Sequence, residues 1–353
     1  MAYTLMVAGR RTGKTAFLRL LLDTSPISPD ATRDQLASVA RFVHASPART
    51  THISSTSVDI EPPSPDHPSP LRLTLVDTPT LDFDDDPAPP ATLNDIMRFL
   101  DARFSDSVDN DRNGDHHVHL CIYFLDPDQI VPLAPRAPTN SLSDADPVIL
   151  DPPAPLLTRP SLPQSDITSI RRLSQRVNVL PVLARADTLT NDRLAVVKSV
   201  IKQDLAKAGI GFGIFDNDPH SLLDLAGDPV AVSSPSNPNA VGGASPVVPL
   251  LPFALISPDI YSHSDGVVRP VLSSHDLVYH YDPSSSAYQY DSTGANLTLA
   301  KTRHTRKYVR TYRWGALDVL DEAHCDFVPL RKAIFYHMEV MSLFPFFSGR
   351  ARN

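Results

Sequence analysis

Near the amino end, Ala8-Gly9-Arg10-Arg11-Thr12-Gly13-Lys14-Thr15 sets a lysine and a hydroxyl behind a glycine-containing turn. The run fits a relaxed phosphate-loop pattern: Ala or Gly, four residues, Gly-Lys, then Ser or Thr. In such a loop the backbone N–H groups, here from Gly9 to Ala16, converge on phosphate oxygens. The start of the following helix adds positive potential. Lys14 then reaches the outer phosphates of a nucleotide and Thr15 ligates Mg2+. Arg10 and Arg11 bring two further cations, which either help to hold the anion or crowd the backbone. A short match of this kind also arises by chance in an Arg-rich turn. The flanks argue against chance, because an apolar strand pattern over 3–8 precedes the loop and a helical pattern over 15–22 follows it.

Two carboxylates extend the constellation. Asp77 ends the apolar run Leu71–Val76 and opens Asp-Thr-Pro. An aspartate at the end of such a strand holds Mg2+ in phosphate-loop proteins, directly or through water. Asp-Thr-Pro is also an ordinary turn junction, since Asp and Pro favour turns. Asp187 follows the buried-strand pattern over 177–183 in Leu-Ala-Arg-Ala-Asp. Its carboxylate matches the paired N1–H and N2–H donors of guanine, which adenine lacks, while the stem of Arg185 covers the base plane. On its own, Asp187 reads more readily as the cap of the helix that follows.

The elements that must position these residues alternate between strand and helix. Strand patterns fall at 3–8, 51–60, 71–76, 119–125, 177–183 and 251–256; helical patterns fall at 15–22, 93–104, 165–175, 191–208 and 327–341. The continuous apolar runs are those of buried parallel strands. Residues 23–49 read as a polar stretch with little pattern. Tyrosines in 276–290 suggest a hairpin, and 306–312 a further strand. Pro-, Asp-, Ser- and Ala-rich 127–163 and Gly-, Ser-, Pro- and Asn-rich 226–249 read as flexible inserts. The expectation is one α/β domain over 1–353, a mostly parallel sheet flanked by helices, with antiparallel additions near the carboxyl end.

Composition narrows the function. The 353 residues carry a net charge of −8 and 35 prolines. The absence of a basic excess argues against a dedicated nucleic-acid binder. Cys121 and Cys325 are too far apart in sequence for metal-ligand spacing. No run of about 20 apolar residues predicts a transmembrane helix, and the amino end lacks a signal-peptide pattern. A soluble intracellular protein is expected. The basic stretch 302–313 reads either as a solvated strand with cationic edges or as a contact with an anionic membrane surface.

Longer runs resemble one family. Val177–Thr190 (VNVLPVLARADTLT) resembles the septin segment around the guanine-specificity motif, and Trp314–Arg331 (WGALDVLDEAHCDFVPLR) resembles the septin-specific element late in the GTPase domain. His117–Leu125, Leu71–Pro79 and Leu251–Ser257 resemble septin strands, in septin order. The resemblance implies a phosphate-loop NTPase of Ras-like type with a septin-specific β/α element over about 258–343. It implies GTP or GDP with Mg2+, other septin-like subunits as partners, no nucleic acid, and a place in the cytoplasm at the cytoskeleton or cell cortex. It makes Lys14 and Thr15 the phosphate and Mg2+ residues, Thr50 the threonine associated with hydrolysis, Asp77 the Mg2+-linked and Asp187 the guanine-reading aspartate, and Arg310 an arginine packed near the base. Trp314 and His324 to Phe327 fall at positions of filament contact. The departures are Arg11 for a loop glycine, Thr80 for the glycine after Asp-Thr-Pro, Arg185 for lysine, Ser257 for a guanine-loop glycine and Arg313 for proline. Thr80 puts a side chain beside the γ-phosphate position, so hydrolysis is expected to be slow or impaired. The alternatives are a catalytically inactive nucleotide-binding subunit and a nucleotide-free scaffold.

Overall fold

The computed structural model describes residues 2–44, 50–61, 70–81, 83, 89–109, 117–130, 160–212, 215, 251–260, 274–282 and 308–343. A six-stranded sheet runs through it: β1 (Ala2–Gly9), β2 (Ser54–Ile60), β3 (Leu71–Asp77), β4 (Leu120–Leu125), β5 (Asn178–Leu183) and β6 (Phe253–Ala254), in the order β2-β3-β1-β4-β5-β6. Only β2 is antiparallel, pairing Ser54 with Asp77 and Ile60 with Leu71 of β3. The others are parallel, with Val7 opposite Asp77 and Gly9 opposite Phe124. All six residues of β4 are buried, which is why that strand is apolar throughout. β2, at an edge, alternates buried and half-buried positions from Thr56 to Ile60. Strand order reverses about β1, so the carboxyl ends of β1, β3 and β4 open a crevice of the kind that binds ligands in open α/β sheets.

The helices cover the sheet: α1 (Lys14–Thr24), α2 (Arg33–His44), α3 (Pro89–Asp109), α4 (Pro127–Ile130), α5 (Gln164–Ser174), α6 (Asn191–Lys207), α7 (Ser274–Tyr281) and α8 (Phe327–Leu343). A two-stranded antiparallel hairpin, β7 (Val309–Tyr312) with β8 (Gly315–Asp318), stands apart from the sheet. Phe17 of α1 meets Phe124 and Phe327 edge-on, with ring centroids 5.6 and 6.0 Å apart, so α1, β4 and α8 share one core.

Several expectations are corrected. The supposedly patternless 23–49 contains α2, whose Leu36, Val39, Ala40 and Val43 are buried at helical spacing. A reciprocal cap starts it: Thr32 N donates to Gln35 Oε1 and Gln35 N donates to Thr32 Oγ1. The hairpin expected from 276 begins instead as α7, because Leu277 and Tyr281, four apart, both face the core; residues 283–290 lie outside the described residues. The strand expected at 251–256 pairs only through Phe253 and Ala254. The insert expected at 127–163 is ordered at both ends, where Ile130 and Leu162 are buried and Ser161 N donates to Ile130 O. Residues 131–159 and the whole of 226–249 lie outside the described residues.

Candidate nucleotide-binding site

The loop from Gly9 to Gly13 leaves β1 at its carboxyl end and enters α1. Gly9 and Gly13 both have left-handed φ, 109° and 91°. A Cβ on Gly9 would stand 2.4 Å from the Phe124 carbonyl oxygen of the neighbouring strand, so glycine is needed there for space as well as for dihedral. A Cβ on Gly13 would stand 2.8 Å from Ser257 Oγ. Ser257 therefore lies directly against the loop.

Lys14 is buried, and its ammonium donates to the loop's own carbonyls, Gly9 O at 3.2 Å and Arg10 O at 3.1 Å, and to Thr80 Oγ1 at 3.4 Å. Thr80, which departs from glycine, thus accepts from the loop lysine. Leu81 N donates to Gly9 O at 3.0 Å, drawing the segment after β3 onto the loop.

Thr15, Asp77 and Thr50 meet. Thr15 Oγ1 donates to Asp77 Oδ2 at 2.6 Å, and Thr50 Oγ1 donates to the same oxygen at 3.4 Å. Asp77 is 3% exposed, and its Oδ1 is buried with no hydrogen-bond partner. Burial raises its pKa, against the bond from Thr15 and the charge of Lys14. A desolvated carboxylate with an orphaned oxygen beside a threonine hydroxyl is a hard, all-oxygen donor set. These residues fit Mg2+.

The two loop arginines differ. Arg11 is exposed. Arg10 is buried, and its side chain turns away from the crevice: Nε donates to Asp166 Oδ2 at 2.9 Å, Nη2 donates to Ser165 Oγ at 3.2 Å, and the guanidinium lies 5.4 Å from the Phe83 ring centroid. Asp166 also accepts from Tyr123 OH at 2.8 Å. Of the two readings offered for Arg10, anion-holding and crowding, the side chain serves neither. It ties the loop to α5 and to the segment after β3. Nothing in local sequence pairs residue 10 with residue 166.

Across the crevice, Arg185 takes a left-handed φ of 48° between β5 and a 3-10 turn, Ala186–Thr188. Its guanidinium bonds Asp126 and Asp128 beyond β4. Arg185 lines a shallow pocket together with Thr12, Ala16, Phe124 and Ser257. Asp187 sits in the turn and caps no helix; Thr190 is the residue that caps α6, accepting from Arg193 N. Asp187 Oδ2 accepts from Tyr312 OH at 2.9 Å, and Arg310 Nε lies 3.5 Å away. Arg310 Nη1 also donates to Asp259 Oδ1 at 2.9 Å, so its charge is directed inward rather than to a basic surface. Residues 302–307 of that basic stretch lie outside the described residues.

Tyr312 and Asp326 join the site although neither carries a nucleotide-binding signal in the sequence. Asp326 Oδ2 accepts from Lys198 Nζ at 2.6 Å and Ala254 N at 2.8 Å, while Asp326 N donates to Ala254 O. Cys325 Sγ accepts from Ile256 N at 3.4 Å. The His-Cys-Asp-Phe run therefore clamps β6 and the loop bearing Ser257. Its signal was on display as a cluster of bonding side chains immediately before a helix.

The arrangement matches known proteins. The Septin family pattern matches residues 1–133 and 158–265. Septin-8 of Xenopus tropicalis is 22% identical over 272 residues, covering 75% of this chain and 43% of its own length. Sporulation-regulated protein 3 of Saccharomyces cerevisiae is 22% identical over 340 residues, covering 94% of this chain and 45% of its own length. The chain thus spans less than half the length of these relatives. The crystal structure of the septin GTPase domain from Chlamydomonas reinhardtii superposes with a TM-score of 0.54 at 16% identity, over 98% of this chain and 95% of that one, and so shares the fold.

Proposed function

The chain belongs to the Septin family, and we propose that it binds a guanine nucleotide with Mg2+ and acts as a subunit of a septin-like hetero-oligomer serving cortical scaffolding or cytokinesis. The observation that carries the nucleotide reading is the meeting of Thr15, Thr50 and Asp77, with its orphaned buried oxygen, beside a glycine-fixed loop. Bound Mg2+ supplies charge neutralisation for the phosphates. The loop N–H groups and Lys14, released from its own carbonyls, hold the phosphate oxygens. Asp187 reads the base, and Thr50 orients the attacking water. Thr80, on Lys14 in this conformation, competes for the cation that hydrolysis needs, so turnover is slow.

The test is direct. Protein purified under mild conditions and denatured should release about one guanine nucleotide per chain, identified by chromatography. An empty site that also refuses added Mg2+ and GTP sinks the reading. Phosphate release that is the same in wild type and Thr50→Ala would leave the nucleotide a purely structural role. Sedimentation with septin subunits should give a larger species; a chain that stays monomeric contradicts the subunit role.

A further inference from the structure

Asp187 is offered as the reader of a guanine edge, yet one of its two oxygens is already engaged from within the chain. Tyr312 OH donates to Oδ2 at 2.9 Å, and Arg310 Nε stands 3.5 Å from the same atom. Guanine presents two donors side by side, and a carboxylate receives such a pair with one oxygen each. The phenol and the base therefore address the same atom.

The neighbours of Tyr312 show which part can move. The hairpin body is pinned: Asp259 N donates to Val309 O at 2.9 Å, Thr311 N donates to Asp259 Oδ2 at 2.7 Å, and Val319 N donates to Tyr308 O at 2.8 Å. Arg310 is held on Asp259 as well. The Tyr312 ring is tied to the hairpin less firmly, through a guanidinium contact with Arg310 and a stack on Trp314. It is half-buried and stacks on Trp314, with centroids 4.8 Å apart and planes 3° from parallel, and Trp314 is itself 77% exposed. A rotation of the ring breaks the bond to Asp187, the solvent-facing stack and the contact with the Arg310 guanidinium 6.0 Å from its centroid, and leaves the backbone bonds of the hairpin in place.

We propose that Tyr312 is an internal competitor for the base-reading carboxylate, and that guanine binds by displacing the Tyr312 hydroxyl from Asp187. The proposal rests on the guanine-nucleotide reading above. The hydroxyl is a lasting competitor, because a phenol of ordinary pKa near 10 keeps its proton through neutral pH; burial and the Asp187 charge push that pKa up further. Displacement of the ring also unstacks Trp314, so occupancy of the base site is passed to an exposed aromatic.

Trp314 is the sole tryptophan of the chain, and it supplies the readout. Nucleotide-free protein, as the 353-residue chain, is titrated with GDP in Mg2+, following heat by calorimetry and Trp314 emission together. The unmodified protein should bind GDP with a saturable change in emission. Tyr312→Phe, which keeps the ring and removes the competing donor, should bind GDP about tenfold more tightly, the order expected for release of one hydrogen bond to a charged acceptor. GDP bound with unchanged emission, and with equal or weaker affinity in Tyr312→Phe, overturns the competition alone. GDP bound by neither protein brings down the guanine-nucleotide reading and this inference with it.

Discussion

At the scale of single residues, Asp77 is a carboxyl buried at the end of β3 between the Thr15 and Thr50 hydroxyls and the Lys14 charge. An aspartate at the end of an apolar run is visible in sequence. That its Oδ1 is buried without a partner, while Thr15 and Thr50 crowd the other oxygen, depends on packing across the sheet. Burial raises its pKa. A carboxyl whose folded pKa lies above its unfolded value favours folding most at low pH, and that contribution is lost as pH rises through the folded pKa. In the absence of a divalent cation, Asp77→Asn should therefore be more stable than wild type at neutral pH, by about 1–2 kcal/mol. The gap should close as pH falls through the raised pKa and wild-type Asp77 becomes neutral. Denaturant titrations across pH measure this. A variant that matches wild type at pH 7, or whose advantage grows toward acid, contradicts the account. Arg10 teaches the converse. Its charge and its place in the loop pointed to phosphate, but Asp166 lies 156 residues onward, and only the fold brings it within 2.9 Å.

At the scale of elements, long buried strands were the easiest to read, because burial on both faces demands apolar residues at every position, as in β4. The misread elements were those in which a few apolar residues carry the helical period through polar surroundings. In α2, four buried side chains sit among Arg33, Asp34, Gln35 and Arg41, and polarity hid the period. Thr32 and Gln35, three apart just before the apolar positions, were the signal that could have found it. In α7, tyrosines suggested a strand by propensity, but packing against α2 decided for helix. The reciprocal cap gives a local test. Thr32→Ala removes the acceptor for Gln35 N and should lower stability by about 1 kcal/mol, with guanine-nucleotide affinity unchanged. Chemical denaturation and calorimetry on one preparation report both. No loss of stability would show that water replaces the cap, and a loss of affinity would show that α2 shapes the site.

At the scale of the whole molecule, the site belongs to no single segment. The loop after β1, Asp77 at the end of β3, Arg185 and Asp187 after β5, Ser257 after β6 and Tyr312 on the hairpin come from chain positions spread over about three hundred residues. Four of the supporting pieces are secured from outside the crevice: Arg10 by α5, Arg185 by Asp126 and Asp128, the Ser257 loop by Asp326 and Cys325, and the hairpin backbone by Asp259. The unfolded chain holds these groups apart and has no affinity for the nucleotide, so a ligand of the assembled crevice must stabilise the fold by mass action. At one hundred times its dissociation constant the gain is about 2.7 kcal/mol, with about 1.4 more for each further tenfold. Thermal unfolding should accordingly shift upward in proportion to the logarithm of GDP concentration in the presence of Mg2+. Asp187→Asn, which turns an acceptor toward the base into an amide that also donates, should flatten that dependence while leaving the midpoint of the nucleotide-free protein close to wild type. ADP should behave toward wild type as GDP behaves toward the variant, since adenine lacks the paired donors that Asp187 is placed to receive. An equal shift from ADP and GDP would mean that the phosphates alone drive binding, and that Asp187 remains with Tyr312 when nucleotide is bound.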